Sequence, residues 1–231
     1  MISHEHKIIF IHIPKCAGSS IEVYFKQKPF DWTKPNYKNL TGWCPKRKIH
    51  LQHATAKQLL DLDLINLKTW NSYYKFSIVR NPWSKSLSDY LWMNRNYMFK
   101  STFNDYLNSS GRFKDILNDS SIKQYRGDHL MSQKDFISLN GKIVVDKIIR
   151  FENIKDEFKE LSNKLNLPSE LLPHDKKGKK RFSHYSHFYS DNEIELIREK
   201  YSNDIDFFNY QFKDKRNELK YPKIRTLFRR L

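Results

Sequence analysis

Cysteine is nearly absent from this 231-residue chain. Cys16 and Cys44 stand alone, with no Cys-x-x-Cys pair, which excludes a disulfide framework and a zinc knuckle. Long apolar runs are missing as well. The run from Lys7 to Ile13 is far too short to span a bilayer, and no other is longer. The opening MISHEHKIIF has no signal-peptide pattern, so a soluble, cytoplasmic chain is expected. Gly-Lys-Ser/Thr occurs nowhere and no Walker-type acid is evident, which argues against an ordinary kinase or GTPase. There is no internal repeat and no low-complexity tract. Nine histidines raise the question of a metal, and His184 and His187 stand at helix-compatible spacing. No third ligand is near them in sequence, and no metal is expected.

What the chain does have is positive charge and aromatic side chains. The formal net charge is +16 and the pI about 9.7, so the partners are expected to be anionic. Nucleic acid, acidic membrane, nucleotide and acidic glycan all fit that charge. With 39% hydrophobic and 15% aromatic residues the chain can bury a real core, and its length favours a single domain over residues 1–231.

The most informative stretch is KIIFIHIPKCAGSSIEVYF, Lys7 to Phe25. Its first seven residues read as a strand buried on both faces, which Pro14 ends. Small residues follow at Ala17, Gly18, Ser19 and Ser20, and Ile21 to Phe25 reads as a helix. A strand, a small-residue turn and a helix make an anion site, to which Lys15 adds a full charge.

Residues 26–48 read as an irregular excursion, either a plain loop or one that meets an acceptor. His50 and His53 precede a helix for which Thr55 is a start signal. Tyr74 to Arg80 is a second strand, and Asn81-Pro82 caps and opens the next helix. On that helix Trp83, Leu87, Tyr90, Leu91 and Asn94 share one face, and Ser84 and Ser88 another. Arg80 and Ser88 can therefore converge on one phosphate. Residues 95–135 predict only short helices and loops. Asn140-Gly141 centres a hairpin, Asp146 to Phe151 is a further strand, and Asn153 to Leu165 is its helix. Lys176 to Arg181 is a basic loop, Asp191 to Phe208 one long amphipathic helix, and the chain from Lys213 a basic extension. Strand–helix alternation predicts an α/β fold with a mainly parallel sheet, and Lys15 and Arg80 fall at strand carboxyl ends, where such folds bind ligands.

These residues carry a resemblance. HIPKCAGSSI, His12 to Ile21, resembles the 5′-phosphosulfate loop, usually HIPKTGGTS, of carbohydrate sulfotransferases related to heparan sulfate 2-O-sulfotransferase. VRNPWSKSLSDY, Val79 to Tyr90, is similar to the same family's 3′-phosphate motif, with Arg80 and Ser88 at its Arg and Ser positions. RFENI (Arg150 to Ile154) and the segment from His184 to Phe212 are similar to late segments of small members. The departures are Cys16 for Thr, Ala17 for Gly and Lys85 where Arg is frequent. The membrane anchor and stem of Golgi members are not seen, so the chain looks like a bacterial or viral cytoplasmic member.

The resemblance implies a P-loop-like three-layer fold and transfer of a sulfuryl group from 3′-phosphoadenosine 5′-phosphosulfate (PAPS) to a carbohydrate hydroxyl. It implies PAPS binding by Pro14, Lys15, Cys16, Ala17, Gly18, Ser19, Ser20, Arg80 and Ser88. Lys15 would stabilise the leaving phosphate, and His53 matches the family's general base, with Glu22 in reserve. Lys179, Lys180 and Arg181 would cover the donor or meet an acidic glycan. The expected acceptor is a glycan or glycolipid, with no nucleic acid, and the basic C-terminal extension could lie on an anionic membrane face. The other reading from charge and aromatics is a non-catalytic polyanion- or nucleic-acid-binding protein.

Overall fold

Ile8–Ile11 are four consecutive apolar residues, all shielded from solvent, as a strand covered on both faces requires. The computed structural model describes residues 1–27, 29–168, 172–173 and 183–218. In chain order its first elements are β1 (Ile2–Ser3), β2 (Ile8–Ile11), α1 (Gly18–Tyr24), β3 (Trp43–Cys44), β4 (Ile49–His50), α2 (Ala56–Asp61), α3 (Leu67–Ser72) and β5 (Tyr74–Val79). Then come α4 (Pro82–Tyr97), α5 (Phe103–Leu107), α6 (Lys114–Asn118), α7 (Gln133–Phe136), β6 (Ser138–Leu139) and β7 (Lys142–Ile143). The last are β8 (Lys147–Arg150), α8 (Ile154–Lys164), α9 (Asp191–Lys200) and α10 (Ser202–Phe207). The chain divides into two compact units, Met1–Arg80 with Asp115–Lys176, and Asn81–Lys114 with Lys177–Leu231.

The first unit is built on a sheet of order β1-β2-β5-β8. β5 runs parallel to β2, from Ile8↔Tyr74 to Ile11↔Ser77, and β8 runs parallel to β5, from Phe76↔Lys147 to Val79↔Arg150. β1 is antiparallel at the edge and had no signal in the sequence. The class is therefore α/β, with a mixed, mostly parallel central sheet flanked by helices. The strands are shorter than the apolar runs that predict them: His12 and Ile13 are buried but unpaired, and Arg80 lies one residue past β5. Aromatic rings join helices to the sheet. Phe10 stacks on Phe76 at 4.9 Å, Phe76 meets Phe158 of α8 at 6.3 Å, and Phe158 takes the edge of Tyr24 of α1 at 4.9 Å.

Local signals shaped much of this unit. Thr55 and Gln58 form a capping box at the start of α2, satisfying two backbone N–H groups reciprocally. Asn140 and Gly141 have φ of 49° and 77°, the pair of positive values a two-residue hairpin turn needs. The 26–48 excursion is mostly irregular, though Trp43–Cys44 pairs with Ile49–His50 in a small hairpin that the sequence did not announce.

In the second unit, Asn81 caps α4 by accepting the Ser84 N–H, with Pro82 at the first helical position, as expected. The apolar-face reading of α4 needs correction, because Lys85, Ser86 and Asp89 are buried with Trp83, Leu87 and Met93. Polar partners make this tolerable: Tyr106 donates its hydroxyl to Asp89, and the Lys85 ammonium lies 5.8 Å from the Tyr201 ring centre. The long helix expected over Asp191–Phe208 is two helices broken at Tyr201, whose φ and ψ are −119° and 26°. Ser202, Asn203 and Asp204 follow the break, residues whose side chains compete for backbone hydrogen bonds.

Phe10 is fully buried against both Phe76 and the His12 ring. Phe10→Ala should cost about 3–5 kcal/mol of stability, read as a lower urea midpoint with an unchanged denaturant slope.

Candidate active site

Beyond β2 the chain turns sharply through Lys15 and Ala17, both in the left-handed region with φ of 66° and 61°. An L-residue in that conformation costs roughly 1–2 kcal/mol, and two so close in sequence fold the backbone into a concave turn of the kind that gathers N–H groups on an anion. The Cys16 N–H closes back on the Ile13 carbonyl at 3.3 Å, and the Ala17 carbonyl accepts from Ser20 and Ile21. Gly18 opens α1 where no side chain fits, since a Cβ there would lie 1.7 Å from His12 Nε2. α1 has only seven residues, so its macrodipole is a minor contributor and the turn N–H groups and Lys15 matter more. Pro14, Cys16 and Gly18 are buried, whereas Lys15, Ala17, Ser19 and Ser20 are partly exposed. The Cys16 thiol points inward and donates to Gln133 Oε1 at 3.6 Å.

Arg80 lies beside this turn. Its Nη1–H donates to the Lys15 carbonyl at 3.0 Å, and its guanidinium stacks over the Phe151 ring at 4.2 Å. Arg80 and the Lys15 turn are thus neighbours beyond the carboxyl ends of adjacent parallel strands. Ser88, the other expected 3′-phosphate ligand, is half-buried on α4 of the second unit. Lys179, Lys180 and Arg181 lie outside the described residues.

Three histidines surround the expected base. The His53 ring is 4.5 Å from His12, 5.5 Å from His129 and 6.4 Å from His50. His53 Nδ1 is 3.1 Å from the His12 carbonyl, which can only accept, so Nδ1 carries the proton. In the neutral ring Nε2 then holds the lone pair a base requires. Burial holds His53 well below the usual imidazole range, with His12, His129 and His50 acting in the same sense. Burial also lowers His12, against the opposing pull of Glu22 at 3.1 Å. It takes His50 down to about 3, with Arg126 the next cause. Glu22 is 2% exposed and its carboxylate lies 3.1 Å from His12 Nδ1, a buried partner for a histidine.

His53, Asp128 and His129 offer ligand atoms within 4.8 Å of one another, a set that could hold a metal ion. His187, by contrast, has Nδ1 with Ser183 and Nε2 with the Lys215 carbonyl, so both ring nitrogens of that candidate are engaged. Sequence reasoning did not find His12, His129, Phe151 or Gln133 as parts of this region. His12 lies inside the loop motif and Phe151 in RFENI, so both had a signal nearby. His129 and Gln133 come from the weakly patterned 95–135 stretch and had none.

The sequence model described as "Sulfotransferase family" matches residues 1–211, a span that includes both motifs, His53 and most of both units. A protein of Archaeoglobus fulgidus described as "Uncharacterized protein" is 32% identical over 108 residues, 46% of this chain and 79% of that one. A crystal structure of a sulfotransferase from Alicyclobacillus acidocaldarius superposes with a TM-score of 0.45 and 12% identity, over 89% of this chain and 96% of the other.

His12, His50 and His53 titrate below an unfolded histidine. Above pH 6.5 both states are neutral there and nothing is lost; as pH falls below 6.5 the unfolded chain takes up protons that the folded one refuses. Stability should fall by roughly 1.4 kcal/mol per pH unit for each such group. His50→Gln, measured by urea unfolding from pH 7 to 5, should have a slope shallower by about one proton.

Proposed function

Because this chain belongs to the sulfotransferase family, we propose that it transfers a sulfuryl group from PAPS to a hydroxyl of a carbohydrate acceptor, in the manner of the heparan sulfate 2-O-sulfotransferase relatives its motifs resemble. The observation that carries the reading is the 3.0 Å contact between the Arg80 guanidinium and the Lys15 carbonyl. It puts the Arg80 guanidinium and the Lys15 turn side by side in one unit, which supports a single ligand that is anionic at two positions.

The residues divide the work. The turn from Pro14 to Ser20 would hold the 5′-phosphosulfate through backbone N–H groups and the Ser19 and Ser20 hydroxyls. Lys15 would oppose the negative charge that grows on the leaving phosphate oxygen as its bond to sulfur breaks. Arg80 would bind the 3′-phosphate, and the motif resemblance names Ser88 as a further ligand. His53 Nε2 would take the acceptor hydroxyl proton as the new oxygen–sulfur bond forms, while Nδ1–H stays on the His12 carbonyl. The products are the sulfated acceptor and 3′,5′-bisphosphoadenosine. Positioning and electrostatics supply most of the rate, as in phosphoryl transfer. The exposed rings of Trp32 and Tyr37 in the 26–48 excursion suit the apolar face of a sugar. The expected acceptor is a glycan or glycolipid, and Lys179, Lys180 and Arg181 are candidates for covering the donor or meeting an acidic sugar. The basic C-terminal extension offers contact with an anionic membrane face.

The test is sulfur-labelled PAPS with a glycan panel, alongside titration with 3′,5′-bisphosphoadenosine, ATP and single-stranded DNA. Labelled glycan and tight bisphosphate binding support the reading. Steeply salt-dependent DNA binding without a bisphosphate site would favour the polyanion-binding alternative that the +16 charge suggests. Lys15→Ala should lower turnover by ~10²–10³. His53→Ala should lower it by ~10²–10⁴ with nucleotide affinity kept. Since the His53 pKa is lowered, the base form persists in acid, and the kcat/KM plateau should extend well below pH 6.5.

A further inference from the structure

Arg80 has left the sheet ladder. The β5–β8 pairing ends at Val79↔Arg150, so the Arg80 backbone N–H and C=O need partners elsewhere. Both come from one side chain. Gln133 Oε1 accepts the Arg80 N–H at 2.8 Å, and Gln133 Nε2 donates to the Arg80 carbonyl at 2.8 Å. The amide thus takes the place of a neighbouring strand for Arg80, one residue beyond β5. The same Oε1 accepts the Cys16 thiol from the Lys15 turn at 3.6 Å. Gln133 is fully buried at the start of α7, and 53 and 117 residues of chain separate it from Arg80 and Cys16. A primary amide can serve this junction because it offers two acceptor and two donor positions in one plane. Neither a carboxylate nor a hydroxyl of that reach offers the same set.

We propose that Gln133 is a positioning residue that sets the spacing between the Lys15 turn and the Arg80 guanidinium, and thereby the preference for adenosine phosphorylated at both 3′ and 5′ over adenosine phosphorylated at 5′ alone. The inference rests on the donor-binding reading above. It also explains why Cys is accepted at position 16: the side chain there serves the junction and faces away from solvent. The two bonds to Arg80 are short and the thiol bond is weak, so losing the amide disturbs the 3′ end of the site more than the 5′ end.

Calorimetric titration of the full chain with 3′,5′-bisphosphoadenosine and with adenosine 5′-monophosphate tests this. Wild type should prefer the bisphosphate. Gln133→Leu should lower bisphosphate affinity by ~10–100-fold and monophosphate affinity by less than ~3-fold, so the ratio collapses. Gln133→Asn keeps an amide but withdraws it by one methylene, and should reduce the same ratio if the Leu variant does not fold. A purely structural role would lower both affinities together and leave the ratio intact; that result, or no change in either variant, overturns the proposal. A wild type with no preference for the bisphosphate overturns the donor reading itself, whereas preference retained in the Gln133 variants overturns only the positioning role.

Discussion

The parallel pairing of β2 with β5 is the constraint on which the rest of the first unit depends. Paired strands lie about 4.8 Å apart, and parallel ones end on the same side. The register from Ile8↔Tyr74 to Ile11↔Ser77 therefore delivers the Lys15 turn and Arg80 to one edge of the sheet. Ser77 reinforces this by donating its hydroxyl to the Ile11 carbonyl at 2.7 Å, where β2 gives out. A slip of one residue would turn every side chain of β5 to the opposite face and carry Arg80 away from the turn. The apolar side chains on both faces of these strands are what hold the register, so core packing and the placement of Arg80 beside the Lys15 turn are two consequences of one alignment.

Around that edge the protein accumulates groups that would be costly alone. Two left-handed residues, Lys15 and Ala17, sit in the turn, and the rings of His12, His129 and His50 lie 4.5, 5.5 and 6.4 Å from that of His53. Strain of this kind persists only where surrounding contacts over-determine it. Here the surroundings are His12 filling the space that Gly18 leaves, Phe151 under Arg80, and Gln133 across the strand end. Desolvation holds His12, His50 and His53 below the usual imidazole range, with Arg126 adding to the effect at His50, and the His12 carbonyl dictates the His53 tautomer.

The second unit follows different rules. Its longest helix buries Lys85, Ser86 and Asp89 along with apolar residues, and Tyr106 and Tyr201 answer them from elsewhere in the unit. A polar face inside a core is legible only once its partners are known. This is why helical periodicity identified Trp83 and Leu87 as buried but gave no sign of the charged neighbours. Membership of the sulfotransferase family extends over residues 1–211 and so embraces both kinds of organisation.

By itself the sequence determined whatever depends on residues close along the chain. The apolar runs of β2 and β5, the caps of α2 and α4, the Asn140-Gly141 turn and the two anion motifs all declare themselves within about ten residues, because propensity, capping and turn chemistry are short-range effects. The tertiary structure decided which of those pieces meet. His129 and Gln133, drawn from a stretch with no pattern of its own, reach the site only through the folding of the whole first unit. The break at Tyr201 likewise required packing to be seen. Contacts that span 50 to 120 residues leave no local periodicity, since what selects each partner is the space and the unmet hydrogen bonds that the folded remainder presents to it.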